Sequence, residues 1–294
     1  MEDEPMSWVV EGLIAEGSVT ELTGISGSGK SYFALDMCRA ITTGRPFAGM
    51  RTVKRDGLYL DREAPKWLIK SRMKQMGIED GGNFQYWGNW VAAKPEGDEG
   101  KLVREYVAIT EPKPFLVVDT ITAFFEGASE NDAVAVRAHM DVYRKFADQG
   151  ATVVALLHAS EKGGNARVYR GSSDFKASVD TGYLVRKLNK GPLLEDLELS
   201  NFKSRYPVAE RLKLHFDGTA FSMDKSPAAT NTQLLTLLQA HPDIKQTDFE
   251  KLGTEQHVER DSIRKWLETG VQARDIRCTK GEKNSKRYTW VGVV

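Results

Sequence analysis

The chain has 294 residues, enough for one large domain and a small one around a substantial core. Its 41 Lys and Arg balance 41 Asp and Glu, so no global field attracts nucleic acid and any such partner must be held by local patches. The two cysteines, Cys38 and Cys278, lie far apart without a second ligand pair, which argues against a disulfide framework or zinc site and fits a reducing cytoplasm. No apolar run follows the acidic start "MEDEP", and no stretch reaches the ~18 unbroken apolar residues of a membrane span. A soluble, cytoplasmic protein with no membrane partner is expected.

Strand-like and helical patterns alternate through the first two thirds. "SVTELTG" (18–24) reads as a strand leading through a glycine-rich turn into a helix from about Ser31 to Thr42. "DGLYLDRE" (56–63) precedes "APKWLIKSRMKQMG" (64–77), where Trp67, Leu68, Met73 and Met76 keep helical register. "PFLVVDT" (114–120) and "ATVVALLH" (151–158) read as strands buried on both faces, with a helix of about Asp132 to Asp148 between them. This order predicts an α/β fold with a mostly parallel central sheet. From about residue 180 the pattern becomes alternating strands joined by turns, "TGYLVRKL", "EDLELSNFK", "ERLKLHFDG" and "TAFSMD", so the sheet is expected to continue antiparallel. The domain boundaries expected are 1–224 for the α/β domain, 225–232 ("KSPAATNT") for a linker and 233–294 for a small C-terminal domain. That last segment reads as three short helices and a hairpin, the element order of a winged helix.

Residues 24–31, "GISGSGKS", fit G-x-x-x-x-G-K-[ST] between a strand and a helix, the context in which the pattern carries chemistry. Glycines at 27 and 29 let successive backbone N–H groups curl inward around phosphates. The expected nucleotide contacts are Gly24, Ser26, Gly27, Ser28, Gly29, Lys30, Ser31 and Tyr32. In this scheme Lys30 reaches the β/γ oxygens, Ser31 ligates Mg²⁺, and ATP is the expected nucleotide. Asp119, at the end of "FLVVD", sits where a Walker-B aspartate would share that metal. Glu63 and Asp61 both follow a strand in the same region, and either carboxylate could orient or deprotonate the attacking water. His158 ends its strand as Asp119 does, and a polar group at that tip can contact the γ-phosphate; capping a buried strand is the simpler role.

Taken together these segments resemble the RecA-like core of hexameric replicative helicases, in particular plasmid-encoded RepA-type ATPases, which are related to DnaB-type helicases and grouped broadly with AAA ATPases. The resemblance covers about residues 7–220 and rests on an ordered set: "SWVVEGLIAEGSVTELTG", "LYLDREAP", "FLVVDTITAF", "VVALLHASEKGG" and "RVYRGSSDFKASVD". It implies that Glu63 is the catalytic glutamate. "LSNFKSRYPVAERLKLHF" resembles the late strand with Lys-x-Arg, so Lys203 and Arg205 are implied to reach the γ-phosphate bound by a neighbouring subunit. Here "YP" stands where that group usually has an Asn-Gly turn. The alternative for the two residues is a pair of solvated charges on an edge strand.

For DNA, the segment after His158 offers Lys162, Arg167 and Arg170 among flexible glycines, which suits the phosphate backbone. Arg170 could instead contact nucleotide or a neighbouring subunit. From Arg260 onward nine Lys and Arg face four acidic residues, a local charge of +5. Arg264 and Lys265 would lie on a recognition helix, and Lys283, Lys286 and Arg287 on a basic wing. Winged helices also dock proteins, so that role stays open. The expected protein is a homo-oligomer, as a hexamer, that binds single-stranded DNA as a helicase-type motor. A recombination or loading ATPase and a nucleotide-gated DNA-binding regulator are the alternatives. The short segment before the glycine-rich turn leaves no room for a primase domain, so a primase or initiator partner is expected.

Overall fold

Runs of valine and leucine long enough to be buried on both faces demand a layer of helices above and below, and such a sandwich forms. The computed structural model describes residues 6–91, 100–125, 132–162, 165–167, 174–189, 191, 193–223, 227–256, 258, 260–281 and 285–292. The chain divides into two units, residues 1–224 and 225–294.

In the first unit a small antiparallel pair, β1 (Trp8–Val10) and β2 (Ile14–Ala15), precedes β3 (Val19–Gly24) and helix α1 (Lys30–Thr43). There follow β4 (Gly57–Asp61), α2 (Lys66–Met76), β5 (Phe84–Trp87), α3 (Lys101–Ile109), β6 (Phe115–Asp119) and α4 (Ala133–Asp148). Then come β7 (Thr152–His158), a two-stranded hairpin of β8 (Ser160–Lys162) and β9 (Asn165–Arg167), and the short helix α5 (Asp174–Ser178). The unit closes with β10 (Thr181–Lys187), β11 (Asp196–Ser204), β12 (Arg211–Phe216) and β13 (Phe221–Met223).

Nine of these strands form one sheet in the order β13-β12-β11-β10-β3-β7-β6-β4-β5. The six from β10 to β5 are parallel, and β11 to β13 extend the sheet antiparallel. Alternate residues feed two cores, as the pleat requires. Tyr59, Val117, Val154 and Leu156 pack with α1 and α2, whereas Leu58, Leu60, Val118, Val153 and Leu157 pack with α3 and α4. Helix ends follow local chemistry. Asp132 caps α4 by accepting from the Val134 and Ala135 amides at 2.9 and 3.3 Å, and α1 stops at the left-handed Gly44.

The second unit holds α6 (Pro227–Ala240), β14 (Ile244–Lys245), α7 (Gln246–Glu255), α8 (Arg260–Gln272), β15 (Ile276–Lys280) and β16 (Lys286–Trp290). Its strands form an antiparallel sheet in the order β14-β16-β15 around a core of Leu234, Leu238, Phe249, Ile263, Leu267 and Tyr288. The expected linker 225–232 needs correcting, because α6 already begins at Pro227. Proline fits the first turn of a helix, where its missing N–H forfeits no bond, so "PAAT" starts a helix of the second unit.

Candidate functional site

The site is assembled at the carboxyl edge of the parallel strands. β3 runs out at Gly24, directly beside His158, the last residue of β7. Asp119 ends β6 opposite Asp61, the last residue of β4. The sheet order therefore sets one strand, β7, between the glycine-rich turn and Asp119. The start of α1 spans that gap, since the Ser31 hydroxyl hydrogen-bonds the Asp119 carboxylate.

The turn itself is shaped for an anion. Gly27 and Gly29 hold φ of 75° and 93°, values side chains resist. A Cβ on Gly24 would meet the Val185 carbonyl oxygen at 2.5 Å and Ser28 Oγ at 2.6 Å, so the strand end admits no larger residue. Ser28 Oγ is buried and has no hydrogen-bond partner among the described residues, which leaves a donor for a ligand inside the turn. Lys30 Nζ donates to the carbonyls of Gly24 (2.8 Å) and Ile25 (3.0 Å). Burial depresses its pKa to about 8 against the opposing pull of Asp119 and Glu63. A phosphate arriving there would restore the full charge of the ammonium. The residues present thus fit a phosphate-bearing ligand, and Ser31 with Asp119 fits the oxygen donor set of a magnesium ion.

The carboxylates divide into distinct environments. Asp119 is buried and its pKa is pushed up to about 6, first by desolvation and then by Asp61, against hydrogen bonds from Tyr59 and Ser31. Tyr59 Oη donates to Asp119 Oδ2 at 2.7 Å. Asp61 is fully engaged: Oδ1 accepts from the amides of Glu63 (2.7 Å) and Ala64 (3.0 Å), and Oδ2 accepts from Tyr86 Oη. Glu63 is the carboxylate left reachable. Its Oε1 accepts from Thr120 Oγ1 at 2.6 Å, and His158 Nε2 lies 3.1 and 3.2 Å from its two oxygens. The His158 hydrogen bond is the main reason its pKa falls below the usual carboxylate value. Lys30, Ser31, Glu63, Asp119 and His158 therefore converge. Gly24, Gly27, Ser28 and Gly29 form the turn beneath them, with Ser26 exposed on its rim.

Other candidate residues lie elsewhere. The Tyr32 ring is turned onto Phe216 (5.3 Å between centroids) with the Arg72 guanidinium 5.0 Å above it, so it is engaged in packing rather than in the turn. Lys203 donates to the carbonyls of Lys176 (2.7 Å) and Ala177 (3.0 Å) at the end of α5, and burial is the chief cause of its lowered pKa. Arg205 pairs with Asp180 at 3.0 Å. Asp180 also accepts from the Val19 amide (2.9 Å), which fixes Arg205 at the amino edge of the sheet. The length of β3 separates that edge from Gly24, about 17 Å at ~3.3 Å per residue.

Lys162 and Arg167 occupy β8 and β9, with side chains outside the described residues, as are Arg170 and Lys283 altogether. In the second unit Arg264 is bound by Glu250 at 2.8 and 3.2 Å, and Arg287 by Asp243 at 2.8 Å. Lys265 and Lys286 are exposed. Arg264 and Arg287 are thus each paired with an acidic neighbour, which the local charge count does not show.

Sequence reasoning passed over Tyr59, Tyr86 and Thr120. Tyr59 had a readable signal, a hydroxyl-bearing side chain two residues before Asp61 on the same strand face. Tyr86 had none, because β5 is short and its burial alternates.

A family model described as an AAA domain matches residues 1–164, the stretch from β1 through β8 that carries the whole converging cluster. No curated protein matches the chain. Among the described residues no helix is long and apolar enough to cross a membrane.

Proposed function

Because the chain belongs to the AAA-domain family of P-loop ATPases, we propose that it binds and hydrolyses ATP with magnesium as an oligomeric, DNA-binding motor of the replicative-helicase type. The observation that carries the ATPase reading is the convergence of Lys30, Ser31 and Asp119 with the Glu63–His158 pair at one sheet edge. Ser31 and Asp119 would hold the magnesium ion, which when bound neutralises charge on the β- and γ-phosphate oxygens. Lys30 leaves the carbonyls of Gly24 and Ile25 for those oxygens. Glu63, ionised because His158 and Thr120 donate to it, orients the attacking water and takes its proton as the new P–O bond forms and the bond to the β–γ bridging oxygen breaks. His158 links that glutamate to the segment 159–173 that follows β7. Loss of the γ-phosphate is thereby relayed toward Lys162, Arg167 and Arg170, the proposed contacts to single-stranded DNA.

Oligomerisation is supported by Arg205. It stands on the sheet edge opposite its own glycine-rich turn and so can serve a nucleotide only in a neighbouring subunit, with Lys203 beside it. The element order of the second unit, α6 to α8 followed by β15 and β16, supports a winged helix, with Lys265, Lys283 and Lys286 as its backbone contacts. The test is ATP hydrolysis with and without oligo(dT), together with mass photometry in a non-hydrolysable analogue and strand displacement on a forked duplex. Stimulated hydrolysis by a ring that separates strands is expected. Unstimulated hydrolysis by a monomer would overturn the motor reading.

A further inference from the structure

We propose that Tyr59 and Tyr86 are positioning residues, a buried pair of phenols in which Tyr59 aims Asp119 and Tyr86, acting through Asp61, aims Glu63. This inference rests on the nucleotide reading of the site. Asp61 and Asp119 face each other in register on adjacent strands, both almost fully buried. Two carboxylates held this close repel, and each needs a fixed donor to settle one orientation. Tyr59 Oη supplies that donor to Asp119 Oδ2 at 2.7 Å, and Tyr86 Oη supplies it to Asp61 Oδ2.

The phenols cannot swing away. Their rings stack at 5.0 Å and 15°, and Tyr86 stacks in turn on Trp90 at 5.9 Å and 16°. Burial and the neighbouring carboxylates raise both phenol pKa values, so each remains a protonated donor at neutral pH. The consequences downstream differ. Asp119 is joined to Ser31, so Tyr59 sets the donor pair that would face a metal ion. Asp61 Oδ1 accepts from the backbone amide of Glu63 at 2.7 Å, so Tyr86 sets the loop carrying the carboxylate that meets His158. Partners one step behind a metal ligand commonly change affinity by about 10- to 100-fold.

The test uses the full chain, a fluorescent ATP analogue titrated with and without Mg²⁺, and steady-state hydrolysis. Tyr59→Phe should raise the half-saturating Mg²⁺ concentration about tenfold while leaving metal-free nucleotide affinity within about twofold. The shift should vanish in an Asp119→Asn background. Tyr86→Phe should keep parental Mg²⁺ binding and KM while kcat falls about tenfold. Should Tyr59→Phe not fold, the second variant decides alone, and a parental kcat there overturns the inference. Parental values in both variants overturn it as well. If the unmodified protein takes up no analogue with or without Mg²⁺, the nucleotide reading itself falls. The two failures are therefore distinguishable.

Discussion

Asp119 and Asp180 sit at opposite edges of one parallel sheet, each almost fully buried, yet their surroundings differ in kind. Asp180 is saturated: the Val19 amide and Arg144 hold Oδ2, at 2.9 and 2.8 Å, while Arg205 holds Oδ1 at 3.0 Å. Asp119 takes its hydrogen bonds from the neutral hydroxyls of Tyr59 and Ser31, beside a second carboxylate that raises its pKa. A buried carboxylate fully met by cations and amides acts as a fastener. One that takes its hydrogen bonds from hydroxyls, with Lys30 acting on it through charge, has capacity left for a ligand.

Arg205 tests that contrast most severely, because it belongs to both readings. Its side chain is 60% exposed although its partner is buried. If it serves a neighbouring subunit, Arg205→Ala should lower kcat in the intact oligomer by ~10³-fold or more, with stability changed by no more than about 1 kcal/mol. Chemical denaturation alongside hydrolysis measures both. A several-kcal/mol loss with parental turnover would make Arg205 part of the Asp180 fastener and remove the trans contact. Next in size is Glu63→Gln, expected to lower kcat by roughly 10²–10⁴-fold while the nucleotide still binds. Asp61→Asn should cost less in rate than Glu63→Gln, since Asp61 has both oxygens committed to the fold. Equal losses would break the distinction between the two carboxylates.

How much of this was legible beforehand follows from the range of the forces involved. The turn at 24–31, the strands ending in Asp119 and His158, and the capped helix at 133–148 are set by local pattern, and each stands within a residue or two of where the sequence implies it. That Asp61 has both oxygens committed to the fold could not be read locally. It depends on the Tyr86 hydroxyl from β5, a strand of four residues whose half-buried alternation is too brief to register. Likewise, nine basic residues could be counted from Arg260 onward, but Glu250 and Asp243, which engage Arg264 and Arg287, lie before the counted segment. Charge in a sequence adds up along the chain, whereas charge in a fold is cancelled across it.

Glu21 extends the comparison to a third carboxylate, in the middle of β3. Neither of its side-chain oxygens has a hydrogen-bond partner among the described residues, and burial drives its pKa up to about 8 despite Lys203 and Lys176. The folded protein keeps this proton up to about pH 8, while the unfolded chain releases it above about 4.5, so the folded state binds more protons in between. Stability therefore falls as pH rises from about 4.5 to about 8 and levels off above that. Glu21→Gln should abolish this slope. It should be more stable than the parent by on the order of 3 kcal/mol at pH 7 and match it below pH 4.5. Urea denaturation at several pH values reads the difference. A parallel pH profile for the two proteins would mean that Glu21 is answered by a charge after all.

The smallest expected effects lie in the second unit, where the same contrast between committed and uncommitted charge separates neighbours on one helix. Lys265 and Lys286 are exposed, whereas the Arg264 guanidinium is bound by Glu250, a carboxylate whose pKa Arg264 lowers more than any other group does. In salt titrations of oligo(dT) binding, Lys265→Ala and Lys286→Ala should each weaken affinity a few-fold and reduce the slope of log K against log salt by about 0.7. Arg264→Ala should leave that slope unchanged and instead lower the melting temperature, because it strips two hydrogen bonds from Glu250, only 5% of whose side chain is exposed, and leaves Arg260 at 3.1 Å as its cation. The reverse pattern, a changed slope for Arg264→Ala and none for the lysines, would show that an arginine engaged by a buried carboxylate still presents its outer edge to phosphate. The rule separating Asp180 from Asp119 would then hold for the acidic partner of a pair but not for the basic one.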